Sequence, residues 1–145
     1  MENRHIAFSP PDITEEEIAE VVDALKSGWI TTGPKTKLFE KQLAEYIGTN
    51  RVVCLNSATA CLEMTLRLLG IGPGDEVIVQ SFTFCASSHP VTYLGATPVF
   101  VDSEADTWNM DPALLEEAIK DRIAKTGKKP KAILPVHLYG MPARI

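Results

Sequence analysis

The chain has 145 residues, 45% hydrophobic and 23% charged, with 9 glycines and 10 prolines, the balance of one globular domain large enough to bury a core. A formal net charge of -5 argues against nucleic acid or an anionic membrane surface as the main partner. No apolar run approaches the roughly 18 residues of a spanning helix, and residues 1–10 lack an apolar leader core, so a cytoplasmic protein with no membrane partner is expected.

Thr14 and Glu17 form a capping-box signature, and Ile18, Val21, Val22 and Leu25 follow at helical spacing until Gly28, which predicts a first helix. After the turn-rich 28–34 segment, Phe39, Leu43, Tyr46 and Ile47 form a second helical stripe closed by Gly48. Residues 51–55 are nearly all apolar and read as a strand, and 58–69 read as a helix with Leu62, Leu66 and Leu69 on one face. A turn at Gly72–Asp75 leads to a second strand, 76–79, and 81–94 is expected to be partly helical despite Pro90. A third strand at 97–101 precedes a helix opened by Asp111 and Pro112, and a fourth strand is expected at 131–136.

Apolar strands separated by helices predict a three-layer α/β fold, a mostly parallel sheet with helices on both faces. Ligands of such folds bind at the carboxyl ends of the strands. Here that edge comprises residues 56–59, 80–84, 102–104 and 137–140.

Ser57, Ala58 and Thr59 stand between a strand and a helix start, where unpaired amides and the helix dipole suit a phosphate; an ordinary N-cap is the competing reading. There is no Walker lysine and no G-x-G-x-x-G. Of Phe82 and Phe84, neighbours on an extended segment, one should enter the core and the other remain free to stack on a flat ring. His137 follows an apolar strand and could serve acid–base work or be a hydrogen-bonded structural histidine. The 28–34 loop places Trp29, Thr31 and Thr32 between glycines, as a binding loop or as a buried connector. His5, His89 and His137 do not build a metal site together, and no metal is expected. Cys54, Cys61 and Cys85 lack CxxC spacing and lie in apolar segments, so buried reduced thiols are expected, without disulfides or zinc.

Six motifs in order carry a family resemblance: Gly28-Trp29-Ile30-Thr31-Thr32-Gly33, Asn56-Ser57-Ala58-Thr59-Ala60, the 70–78 segment from Gly70 to Ile78, Ser81-Phe82-Thr83-Phe84, the 95–102 segment from Gly95 to Asp102, and the 135–140 segment from Pro135 to Gly140. Together they resemble the DegT/DnrJ/EryC1/StrS sugar aminotransferases. The resemblance implies a fold-type I enzyme that uses pyridoxal 5'-phosphate, works as a homodimer, and moves an amino group from glutamate to a nucleotide-linked keto sugar. It further implies that Ser57, Ala58 and Thr59 hold the cofactor phosphate, that Phe84 stacks on its ring, and that Trp29, Thr31, Thr32 and His137 lie on the substrate side. Gln80 stands where proline is common in the family, and Ala58 where glycine is common.

In the family, the lysine that forms the Schiff base and the aspartate that pairs with the pyridine nitrogen follow in sequence the part matched here. No catalytic residue is therefore expected within 1–145, which reads as the amino-terminal part of the large domain: a helix and substrate-side loop over 1–34, then βαβ units over 35–145. The 145 residues alone are expected not to transaminate. The alternative is a non-catalytic phosphate-binding or interaction module of the same family.

Overall fold

The computed structural model describes residues 9–144; His5 and most of the segment inspected for a leader lie outside them. The chain divides into two compact units, one up to Cys54 and one from Leu55.

The first unit contains α1 (Glu15–Ser27) and α2 (Pro34–Ile47). Thr14 and Glu17 close the expected capping box: the Thr14 amide donates to Glu17 Oε2 at 2.6 Å, and the Thr14 hydroxyl receives the Glu16 amide at 3.3 Å. Gly28 ends α1 in the left-handed conformation at φ 72°, which an L side chain would resist. In the loop that follows, Trp29 Nε1 donates to the Thr32 carbonyl at 3.1 Å. The indole lies against Gly33, where a Cβ would sit 2.0 Å from Nε1, so only glycine admits this close approach. Ile18, Val21, Val22 and Leu25, whose spacing predicts the helix, are exposed.

The strand expected at 51–55 does not form. No ladder partner for it exists among the described residues; instead the Cys54 amide donates to Glu40 Oε1 at 2.8 Å, and Val53 and Leu55 remain exposed. A run of apolar residues favours a buried strand only where a neighbour satisfies its backbone.

The second unit is built on three parallel strands, β1 (Glu76–Gln80), β2 (Thr97–Val101) and β3 (Ala132–Leu134), ordered β2-β1-β3. Ile78 lies opposite Val99 on one side and Ile133 on the other. The helices are α3 (Ala58–Leu68), α4 (His89–Tyr93) and α5 (Pro112–Thr126). Alternation along β1 distributes its side chains between two cores. Val77 and Val79 pack with Leu66 of α3, Ile71 and Val91 of α4, while Ile78 packs with Val101, Met110 and Leu115 of α5. The expected three-layer α/β arrangement is thus present, and Val77, Ile78, Val79 and Gln80 are each 0% exposed because helices cover both faces of the central strand.

Proline punctuates this unit where its missing N–H is tolerated. Pro90 occupies the first turn of α4, Pro98 lies on the edge strand β2, and Pro135 follows the last residue of β3. Cys61 and Cys85 are exposed and Cys54 half-buried, all three as free thiols. The expectation of burial fails because α3 meets the core through Leu66 rather than Cys61, and the single turn of 3₁₀ helix at Cys85–Ser87 buries no residue.

Charged side chains fasten the amino edge of the sheet. Arg122 of α5 grips Glu76 at 3.0 and 2.6 Å, and Lys131 Nζ donates to the Gly70 carbonyl at 2.5 Å and to Asp75 at 2.9 Å. Arg122→Met is expected to lower unfolding stability, since it leaves the partly covered Glu76 carboxylate without its partner; a denaturant midpoint equal to the parent's would contradict this. Gly33→Ala must displace the indole and break its bond to Thr32, a loss of about 0.5–1.5 kcal/mol. In a Trp108→Phe background it should also shift Trp29 emission to longer wavelength, and an unchanged spectrum would count against the packing described.

Candidate functional site

The helix that carries Ser57–Thr59 points its amino end away from the amino edge of the sheet. Its carboxyl end leads into Gly70, whose carbonyl Lys131 holds beside Asp75, and eleven residues of helix at about 1.5 Å each carry Ala58 roughly 16 Å away. Ser57, extended at φ -161° and ψ 157°, caps this end by accepting the Ala60 amide at 3.1 Å. The amides of Ala58 and Thr59 have no acceptor within the helix. No acidic residue stands in this first turn, whereas α1 carries Glu15, Glu16 and Glu17 there. The positive end of the α3 dipole is therefore left unneutralised by its own side chains.

α3 packs against the Cys85–Ser87 turn, and Phe84 is the residue that opens that turn. Its ring is 77% exposed. The expectation that either Phe82 or Phe84 fills the core fails. Phe82 is also exposed and leans on Trp108 with ring centroids 5.4 Å apart and planes at 50°. Residues two apart on an extended segment share a side, so alternation gave no ground for the two rings to part, and after Gln80 the chain leaves the ladder and turns, Thr83 donating its amide back to the Ser81 carbonyl at 3.2 Å.

Two buried amides, neither anticipated as site residues, organise the carboxyl edge. Gln80 donates through Nε2 to the carbonyls of Phe82 (2.9 Å) and Trp108 (3.0 Å), and its Oε1 accepts the Met110 amide at 2.9 Å. Asn109, 1% exposed, donates to the Met141 carbonyl at 2.9 Å and accepts the Leu138 amide at 2.8 Å. These bonds tie the ends of β1, the 102–111 loop and the 138–141 segment into one assembly. The loop closes on itself as well: Glu104 receives the amides of Asp106 and Thr107 and the Thr107 hydroxyl. These bonds, with Thr107 first, hold its carboxyl below the usual carboxylate range.

Between these segments lies an open cleft of about 470 Å³ walled by Phe82, Thr107, Trp108, Leu138, Tyr139 and Met141. Trp108 (φ 65°) and Tyr139 (φ 52°) are left-handed without being glycine, a conformation that costs about 1–3 kcal/mol and persists only where surroundings impose it. One sign in the sequence pointed to this arrangement: a polar amide closing an otherwise apolar central strand must turn inward and find partners. Asn109 gave no comparable sign, since its loop has no periodicity.

His137 stands just beyond β3 at the same edge, exposed, and its Nδ1 accepts the Ala143 amide at 3.0 Å. Trp29, Thr31 and Thr32 belong to the first unit. Trp29 and Thr31 line a cleft of about 410 Å³ with Asp23, Ser27, Pro34 and Lys35, while Thr32 offers its carbonyl to the indole. Lys35 pairs there with Asp23 at 2.8 Å and with Glu20; Asp23 first and then Glu20 raise its ammonium above the ordinary lysine value. Among the described residues no three His, Cys, Asp or Glu side chains gather as a metal site would require, and no helix is long and apolar enough to cross a membrane.

Known proteins resemble this chain in sequence and in fold. The chain is 44% identical over 138 residues to the spore coat polysaccharide biosynthesis protein SpsC of Bacillus subtilis, a match that covers 95% of this chain and 34% of that protein. It is 44% identical over 140 residues to the UDP-4-amino-4-deoxy-L-arabinose–oxoglutarate aminotransferase of Shewanella sediminis, covering 97% of this chain and 34% of the relative. Among solved structures it superposes on the pyridoxal-phosphate form of Spr1654 from Streptococcus pneumoniae with a TM-score of 0.83 at 55% identity, over 97% of this chain and 34% of that one. It thus spans about a third of the length of these relatives. The model of the DegT/DnrJ/EryC1/StrS aminotransferase family matches residues 11–145, and the chain belongs to that family.

Proposed function

We propose that these residues form the phosphate cradle and ring-stacking face of a pyridoxal 5'-phosphate-dependent aminotransferase, which transfers an amino group from glutamate to a nucleotide-linked keto sugar. The observation that carries this reading is the capped, acid-free amino end of α3, a helix that packs against the turn Phe84 opens. The residues present fit such a cofactor: two free amides and a hydroxyl suit a dianionic phosphate, and an exposed aromatic ring at the start of a turn packed on the same helix suits a flat heterocycle.

When bound, the cofactor supplies an aldehyde for amine exchange and an electron-withdrawing ring. The protein's own residues bind and orient it. Ser57 holds the first turn of α3 open toward the phosphate, the amides of Ala58 and Thr59 donate to it, and Phe84 covers one face of the ring. His137, with Nδ1 committed as an acceptor, is left with Nε2 as a donor when neutral, in keeping with a hydrogen bond to substrate oxygen. Trp29, Thr31 and Thr32 are assigned to the substrate side on the family resemblance alone.

The 145 residues by themselves are proposed to be catalytically incomplete. In the unit that holds the cradle, Lys128, Lys129 and Lys131 follow the end of α5 toward the amino edge, Lys125 stands in the last turn of α5 paired with Asp121 at 2.8 Å, and Lys120 is engaged with Glu116 on the exposed face of α5 at 2.5 Å. None is at the carboxyl edge, where a lysine would have to meet the cofactor. A cytoplasmic homodimer is the proposed assembly, and the exposed stripe of Ile18, Val21, Val22 and Leu25 on α1 supports an interface there.

Ser57→Asp retains a good N-cap while setting a negative charge against the phosphate. It should weaken pyridoxamine phosphate binding at least tenfold in a fluorescence titration of the 145-residue chain, with no loss of thermal stability. Equal affinities for parent and variant would refute the cradle. Incubating the same chain with pyridoxal phosphate and glutamate should yield no pyridoxamine phosphate; a stoichiometric yield would refute its incompleteness.

A further inference from the structure

We propose that Gln80 is a positioning residue for the cofactor ring, acting through Phe84. The inference rests on the reading that Phe84 covers that ring. Nothing in the family resemblance asks for an amide at this position, where proline is common; the case is made by the bonds.

Residues 82–84 have left the β-ladder, and their own hydrogen bonds are short in range. Thr83 bonds Ser81 through its amide and reaches Ser87 through its hydroxyl at 3.0 Å, while the Phe84 carbonyl receives the Ser87 amide at 2.9 Å. Such bonds shape a turn without fixing where it sits. The turn is flanked by Ser81, whose amide donates to the Val101 carbonyl at 2.9 Å and whose hydroxyl donates to Asp102 at 3.2 Å, and its 85–87 part packs against α3 and α4; among the described hydrogen bonds and ring contacts of residues 82–84 themselves, two reach the rest of the unit. Gln80 holds the Phe82 carbonyl, and the Phe82 ring rests on Trp108. Trp108 is itself held by Gln80 through its carbonyl at 3.0 Å, and the neighbouring Met110 amide closes on Gln80 Oε1 at 2.9 Å. Both contacts therefore involve one side chain, directly or through Trp108, whose amide also donates to the Glu104 carbonyl at 3.1 Å; that side chain is 0% exposed at the end of the central strand. Gln80 uses both its amide hydrogens and its oxygen, so it has no freedom to reorient.

Loss of these bonds removes no hydrogen bond of α3, of its Ser57 cap or of the Ala58 and Thr59 amides, because none of them bonds Gln80. The consequence is specific. Binding of the flat ring should suffer while binding of a bare phosphate should not.

The test uses Gln80→Met, which keeps volume and removes every polar atom, and Gln80→Glu, which keeps an acceptor for Met110 and at most one donor. Hydrogen exchange followed by NMR reports on the turn through the Ser87 amide, with the Thr97 amide, bonded to the Asp75 carbonyl at 2.9 Å at the opposite edge, as the internal control. Titrations with pyridoxamine phosphate and with inorganic phosphate report on the ligand. In Gln80→Met, Ser87 protection should fall at least tenfold against Thr97, and pyridoxamine phosphate affinity should fall about tenfold with inorganic phosphate unchanged. Gln80→Glu should fall between parent and Gln80→Met, and it carries the test if the methionine variant does not fold. Unchanged Ser87 protection in a folded variant overturns the proposal, as does an equal loss of both ligands. A parent chain that binds inorganic phosphate but not pyridoxamine phosphate overturns the cofactor reading instead, and Ser87 exchange then decides alone whether Gln80 sets the turn.

Discussion

A single buried amide governs the carboxyl edge of this protein. Gln80 ends the central strand in a place where water cannot reach, so its three hydrogen-bonding atoms must be satisfied by protein or the strand would not be stable there. The partners it finds are backbone groups of two different segments, Phe82 just beyond the strand and the Trp108–Met110 turn. Asn109 continues the arrangement toward Leu138 and Met141. Desolvation thus forces loops that have no regular structure of their own into one fixed relation.

The two edges of the sheet are held by different chemistry. At the amino edge, Arg122–Glu76 and Lys131–Asp75 are ion pairs with access to water, adjustable and screened by salt. At the carboxyl edge, neutral amides sit in a dry interior and allow one geometry only. Sheet proteins place ligands at the carboxyl edge, and the more exacting fastening is found on that side. The left-handed backbones of Trp108 and Tyr139 are sustained by the same bonds, since each neighbours a residue held by Gln80 or Asn109.

Most of the helices and the three paired strands could be read from the sequence because their signals are local. The capping box of Thr14 and Glu17, the glycine stops at 28, 48 and 127, and the uninterrupted apolar run of β1 each record a physical requirement within a few residues. The segment at 51–55 was misread for the complementary reason. Its composition suits a strand, but a strand is defined by a neighbour, and composition carries no information about partners. The same limit hid Asn109 and the exposure of Phe82, Cys61 and Cys85, which depend on where distant loops come to rest. The chain segments grouped as the phosphate cradle and stacking face were legible because each lies where an element begins or ends, and their chemical roles came from the family resemblance rather than from geometry.

The proline within β2 bears on how the molecule meets its neighbours. β2 pairs with β1 on one side only, so its other side would offer a row of backbone donors and acceptors to any extended chain. Pro98, opposite Val77 in the register, has no N–H, and its ring occupies the space a pairing strand would need. A second molecule cannot extend the sheet past this point without leaving a gap in its own ladder. Among the described residues, the unpaired side of β2 is thereby made a poor template for strand-to-strand aggregation, and association is directed to surfaces where side chains rather than main chain decide the fit.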